Sequence, residues 1–197
     1  MFLDGAFAFG VSDDVLLKYS LHVGAELDQG AVDNILRAEE EETAKQKALR
    51  YLSIRPRSKK EIRDYLLRKE YAGSTAERIV AKLESLKLLD DAAFARMVCR
   101  DMLVKKPAGE KLVRQSLFKK GVPKELIDTV SAEFFSTESE LSMAFEAAER
   151  QRARIERGSR RLDHMQFKKK ILDYLVRRGF SFDAAMSAAN KLFTKSS

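Results

Sequence analysis

Lys60-Glu-Ile62-Arg-Asp-Tyr65-Leu66-Leu67-Arg68-Lys69 occurs in three related forms in this 197-residue chain. It aligns with Lys111-Leu-Val113-Arg-Gln-Ser116-Leu117-Phe118-Lys119-Lys120 and with Lys169-Lys-Ile171-Leu-Asp-Tyr174-Leu175-Val176-Arg177-Arg178. In each, a β-branched residue precedes a Leu by four positions, an apolar residue follows that Leu, and two bases close the segment. The four-residue step places Ile62 and Leu66, Val113 and Leu117, and Ile171 and Leu175 one turn apart on a helical face. The closing bases suit the negative end of a helix.

Each segment is followed by a second apolar-periodic stretch: Ile79, Val80 and Leu83; then Leu126, Ile127 and Val130; then Ala185, Met186 and Ala189. Each is also preceded by one, around Leu49–Leu52, Phe94–Met102 and Leu141–Ile155. One three-helix unit buries too little apolar surface to stand alone, so neighbouring units should stack. The predicted fold is all-α: three tandem three-helix repeats in an elongated array, behind a small N-terminal β-hairpin and helical segment. The boundaries fall at 1–43, 44–88, 89–136 and 137–197. Such an array should exceed the ~16 Å radius of gyration of a compact chain this long.

Local punctuation supports the division. Ser58…Glu61 and Ser74…Glu77 both read as capping boxes, in which a Ser hydroxyl accepts from the amide three residues on. Gly109, Gly121 and Gly179 separate periodic segments, and Pro123 suits a first helical turn. Glu138 and Glu140 open a longer helix that keeps Leu141, Ala144, Phe145, Ala148 and Ile155 in helical register. At the N-terminus, Asp4-Gly5 is a hairpin turn pair, and Phe7 and Phe9 alternate with Ala as in a half-buried strand. Ser12 then caps a helix with Leu16, Leu17 and Leu21 on its apolar side. A second helix runs from about Asp28 to Glu42, ending in the block Glu39-Glu40-Glu41-Glu42.

The net charge of +7 conceals an asymmetry. Residues 1–43 hold two bases and ten acids, whereas residues 44–197 hold 35 bases and 20 acids. A basic body of that size calls for a polyanion or an acidic protein face as partner. The single Cys99 excludes an internal disulfide and fits a reducing compartment. Every apolar stretch is broken by charge within a turn or two, so no membrane span is expected and the cytoplasm is the predicted location.

Catalysis has little to stand on. His22 and His164 lie far apart, Cys99 sits among Ala, Met and Val, and no phosphate-cradling loop or nucleophile–base arrangement is present. The chain reads as a non-enzyme without metal or cofactor. Binding has more support. Lys105, Lys106, Lys111, Arg114, Lys119 and Lys120 concentrate charge in the second repeat. In the third, Arg150, Arg154 and Arg157 share a helix face, which Arg161 continues only if the helix passes Gly158. Arg55 and Arg57 flank Pro56 ahead of the first repeat's middle helix. These are candidate contacts for phosphates or for carboxylates; the alternative is a solvated helix laced by Glu146, Glu149 and Glu156.

Several blocks together resemble the RecX family. Ala48-Leu-Arg-Tyr-Leu52-Ser-Ile-Arg55-Pro-Arg57-Ser58-Lys-Lys-Glu61-Ile62 is similar to its opening repeat, with Ile at the final Leu position. Leu89-Asp90-Asp91-Ala-Ala-Phe94-Ala95 resembles its Leu-Asp-Asp-x-x-Phe-Ala signature. Gly109…Val113…Leu117…Lys120-Gly121-Val and Leu175-Val-Arg-Arg178-Gly179-Phe180 resemble the blocks that follow. The resemblance covers roughly residues 44–193. Physically, Asp90 reads as an N-cap, Asp91 as a first-turn carboxylate and Phe94 as core. The resemblance implies a regulator that lies in the groove of the RecA recombinase filament on DNA and opposes its extension, strand exchange and ATP turnover. The partners it implies are that filament and single- or double-stranded DNA, met directly or through it, by a monomer. A non-sequence-specific or helix-turn-helix-type DNA-binding protein stays open as the alternative, as does a purely structural adaptor that binds no nucleic acid.

Overall fold

The structure, a computed structural model, describes residues 1–158 and 163–194. They fall into two units, residues 1–89 and the chain from residue 90 onward.

The first unit opens with a hairpin of β1 (Phe2–Leu3) and β2 (Ala6–Phe7), pairing Phe2 with Phe7 and Leu3 with Ala6. Asp4 and Gly5 take φ of 48° and 82°, the left-handed pair that a two-residue hairpin turn of matching twist requires. Phe7 is exposed and meets Phe2 edge-on, so the strand covers less than its alternation suggests. α1 (Asp13–Lys18) follows Ser12 as expected, yet the Ser12 hydroxyl does not cap it. Both the hydroxyl and the amide of Ser12 donate to the Glu39 carboxylate, at 2.8 and 2.7 Å. That tie turns Val15 inward and leaves Leu16 and Leu17 exposed, while Leu21 packs on the small core of Val15, Ile35 and Ala38. A six-residue helix is too short for its periodicity to name its buried side.

α2 (Gln29–Ile54) is 26 residues long and runs straight through the acidic block where the sequence had suggested an end. Three of the block's four carboxylates are held by partners: Glu39 by Ser12, Glu41 by Arg78, and Glu42 by Lys45 and Gln46. The carboxyl of Glu42 would be raised by its partial burial, but hydrogen bonds from Lys45 and Gln46 carry it below the usual range. The helix continues past the block, with Ile35 and Ala38 buried in one core cluster and Ala44 and Ala48 in the next. The boundary expected at 43/44 lies inside this helix.

The first repeat is completed by α3 (Lys59–Arg68) and α4 (Gly73–Ser85). Ser58 caps α3 by accepting from the Glu61 amide at 3.1 Å. The second expected box is absent: α4 begins at Gly73 behind Ala72. Thr75 and Ala76 are buried, which draws the first turn into the core, and Glu77 pairs instead with Arg63 of α3.

The second unit holds α5 (Asp91–Lys105), α6 (Glu110–Lys119) and α7 (Lys124–Phe134), then α8 (Thr137–Glu156), α9 (His164–Arg177) and α10 (Phe182–Thr194). Each triplet has its own core cluster. The predicted pairs Ile62/Leu66, Val113/Leu117 and Ile171/Leu175 are all fully buried. Asp90 caps α5 by accepting from the amides of Ala92 and Ala93, and Phe94 lies in the core. Pro123 takes the cap position of α7 rather than its first helical residue. α8 starts with a reciprocal Ser136–Ser139 box, and its Ala144, Ala147 and Ala148 share a core with Ala184, Ala185, Ala188 and Ala189 of α10. Small residues here let two helices approach closely. α9 begins one turn earlier than α3 or α6 relative to the shared core pair, capped by Asp163, which accepts from Gln166 at 2.8 Å.

All three middle helices end alike. The amides of Tyr71, Val122 and Phe180 donate to the carbonyls of Leu66, Leu117 and Leu175. The preceding residue, Glu70, Gly121 or Gly179, is left-handed with φ of 66°, 78° or 83°. This closure satisfies the last carbonyls of each helix, and it explains the glycines of the second and third repeats.

Candidate nucleic-acid and protein interface

Several of the candidate cations serve the fold. The Arg55 guanidinium grips both oxygens of Glu61, at 3.0 and 3.1 Å, which raises its own pKa further. Arg57 lies 3.7 Å above the Tyr51 ring, and Tyr51 is stacked on Tyr65 at 4.1 Å. Arg114 bridges Glu110 and Asp128 across α6 and α7. Lys120 stands 5.8 Å over the Phe94 ring.

The remaining described candidates lie on the exposed surface. Lys105, Lys106, Lys111 and Lys119 are exposed, with Asp101 3.9 Å from Lys105. On α8, Arg150, Arg154 and Arg157 are all exposed. Arg150 meets Glu146 at 2.5 Å, and Arg157 donates to the Ala153 carbonyl at the end of its own helix. α8 stops at Glu156 with Arg157 as its cap; Arg161 lies outside the described residues.

The structure also supplies a residue that the sequence reading passed over. Arg178 donates to the carbonyls of Lys106 and Pro107 at 2.8–3.0 Å. Beside it, the amides of Gly109 and Lys111 donate to the carbonyls of Arg178 and Gly179. The C-terminal turn of α9 thus caps the N-terminus of α6, locking the second repeat to the third. Only the position of Arg178 in the internal alignment could have hinted at this.

Charge is divided among the helices by their place in the repeat. The middle helices α3, α6 and α9 carry an excess of bases, and each ends in a further base at Lys69, Lys120 or Arg178. The third helices do not: α4 has two acids and two bases, α7 three acids and one base, and α10 one of each. Cys99 is fully buried, and burial, helped by Glu133, pushes its thiol up to about 11. It is a packing residue rather than a nucleophile. Among the described residues no three His, Cys, Asp or Glu side chains are grouped to hold a metal ion. No described helix is long and apolar enough to cross a membrane.

Family models described as the first, second and third three-helix domains of RecX match residues 44–83, 90–130 and 138–189. The chain belongs to the RecX family. The regulatory protein RecX of Bacillus licheniformis is 34% identical over 188 residues, spanning 95% of this chain and 70% of that protein. Regulatory protein RecX of Levilactobacillus brevis is 34% identical over 185 residues, spanning 94% and 68%. A crystal structure of regulatory protein RecX superposes with a TM-score of 0.76 at 28% identity, over 93% of this chain and 88% of that one. RecX from Lactobacillus salivarius has the same fold, with a TM-score of 0.68 at 24% identity, over 80% of this chain and 99% of that one. These RecX relatives are regulatory proteins by name, and a regulatory role for this chain follows from membership.

Proposed function

We propose that this chain binds the RecA recombinase filament on DNA and restrains it, lowering strand exchange and ATP turnover, as a cytoplasmic, non-catalytic monomer. The observation that carries this reading is the division of charge: basic middle helices in all three repeats beside neutral or acidic third helices. Linked repeats with several weak contacts each gain avidity from their connection, which suits an extended, regularly repeating partner. DNA is met directly or as part of that filament.

The same division weighs against a helix-turn-helix reader of sequence. Such a module lays its last helix in the major groove, and α7, with Glu125, Asp128 and Glu133 against Lys124, would be repelled by the phosphates.

The test is recombinase-dependent ATP hydrolysis on single-stranded DNA, titrated with this protein. Hydrolysis should fall as the protein approaches stoichiometry with the filament. Unchanged hydrolysis at stoichiometric excess overturns the proposal, and a gel shift on random DNA with and without the recombinase separates filament binding from plain DNA binding.

A further inference from the structure

Core packing explains why Ile62/Leu66 and their counterparts recur, because each pair fills the inside of its repeat. It does not explain why part of the outer face recurs as well. One position beyond the buried Leu, the three middle helices carry Leu67, Phe118 and Val176, and all three are exposed, at 38%, 71% and 47%. Seven residues before each stands Lys60, Lys111 or Lys169, also exposed. Two helical turns separate the members of each pair, so they share one face about 10 Å apart. Immediately after the apolar residue comes an exposed base, Arg68, Lys119 or Arg177. Neighbouring positions on the same helices have diverged: Lys59, Glu110 and Lys168 at one, Arg63, Arg114 and Leu172 at another. Of Lys60, Lys111, Lys169, Arg68, Lys119 and Arg177, only Lys60 is ion-paired among the described residues, to Asp64.

We infer that the exposed knob of each middle helix is a docking contact, repeated once per repeat, for an acidic protein surface with a shallow apolar depression. The inference rests on the proposed filament reading and names the chemistry of its contact. Two bases flank each knob, against one carboxylate three residues before it in the first and third repeats (Asp64 and Asp173) and none there in the second, so the surroundings of the depression carry net negative charge. The knob requires a partner that can remove apolar surface from water. Phosphate backbone offers nothing to Leu67 or Val176, neither of which can stack on a base, so the occupant is protein rather than nucleic acid. A subunit surface that recurs along an oligomer would meet such knobs repeatedly.

Two triple variants test this, read by anisotropy with recombinase filaments and with free single-stranded DNA across a salt series. Leu67→Gln/Phe118→Gln/Val176→Gln removes the knobs and keeps helix propensity. Lys60→Gln/Lys111→Gln/Lys169→Gln removes part of the basic rim. The knob variant should bind filaments at least roughly tenfold more weakly, with an unchanged salt slope and unchanged binding to free DNA. The rim variant should lower the salt slope. If the knob variant melts early, Phe118→Gln alone, at the most exposed knob, carries the same comparison. Parent-like filament binding by the knob variant overturns the inference, and so does an equal loss on free DNA, which would make the occupant nucleic acid. Absence of filament binding by the parent protein would remove the underlying functional reading first, an outcome distinct from both.

Discussion

Gly109 and Gly179 approach so closely that a Cβ on Gly109 would lie 2.2 Å from the Gly179 carbonyl oxygen. A Cβ on Gly179 would lie 2.3 Å from the Leu112 amide nitrogen. Two residues 70 positions apart therefore both need to be glycine, and Gly179 for a second reason, its φ of +83°. Where the first repeat caps α3 with the Ser58 hydroxyl, the second gives up that side chain at Gly109 and takes its capping from the backbone of the third repeat.

Gly109→Ala should consequently destabilise the second unit by about 1–3 kcal/mol, the usual cost of forcing atoms into packed space. Gly73→Ala is the control, since nothing lies within 4 Å of its added Cβ; it should be neutral or slightly stabilising. Urea unfolding of both variants checks the contrast. Equal midpoints would show that the glycine contact between the repeats carries no weight.

Glu70 occupies the left-handed position that Gly121 and Gly179 fill in the other repeats. A side chain there bears strain that glycine avoids. Glu70→Gly should raise the stability of the first unit by about 0.5–1 kcal/mol after the entropy of the freer unfolded chain is subtracted. A lower melting temperature in the variant would contradict this.

Cys99 should resist thiol reagents in the folded protein, because its thiol ionises only near pH 11 and is fully buried. The folded-state pKa is raised above the ordinary 9.0. Between those two values the unfolded chain binds fewer protons than the native one, so this residue makes stability decline as pH rises through that window. Labelling at pH 8 should be slow in buffer and complete in denaturant. Rapid native labelling would place the thiol at the surface.

Neutralising Arg150, Arg154 and Arg157 to Gln should leave the melting temperature almost unchanged, since exposed ion pairs such as Arg150–Glu146 are worth ~0–1 kcal/mol. Binding should suffer more. Each lost phosphate contact removes roughly one unit from the log–log salt slope, so the deficit in inhibition relative to the parent should be greatest at low salt and shrink as salt rises. The prediction would be falsified by a triple variant that inhibits like the parent at every salt concentration. Early melting would instead assign these arginines to the support of α8.

Repeated residues made the repeats legible. A core pair four residues apart, a turn and two closing bases form a local pattern, and local patterns survive in one dimension because helix geometry converts spacing into direction. The three middle helices, the Asp90 cap, the Phe94 core position and the buried Cys99 were all readable for that reason. The hairpin at Asp4-Gly5 was readable because its turn chemistry is confined to two residues.

Other features depended on partners distant in the chain. Whether the acidic block would end α2 depended on Ser12 and Arg78, and whether Ser74 would cap α4 depended on how deeply Thr75 and Ala76 were drawn into the core. Which cations are free for a partner depended on long-range neighbours: Glu133 takes Arg96, Asp128 takes Arg114, and the Lys106 and Pro107 carbonyls take Arg178. Spacing along a helix sets which way a side chain points. Only the packing of one element on another sets what it meets there.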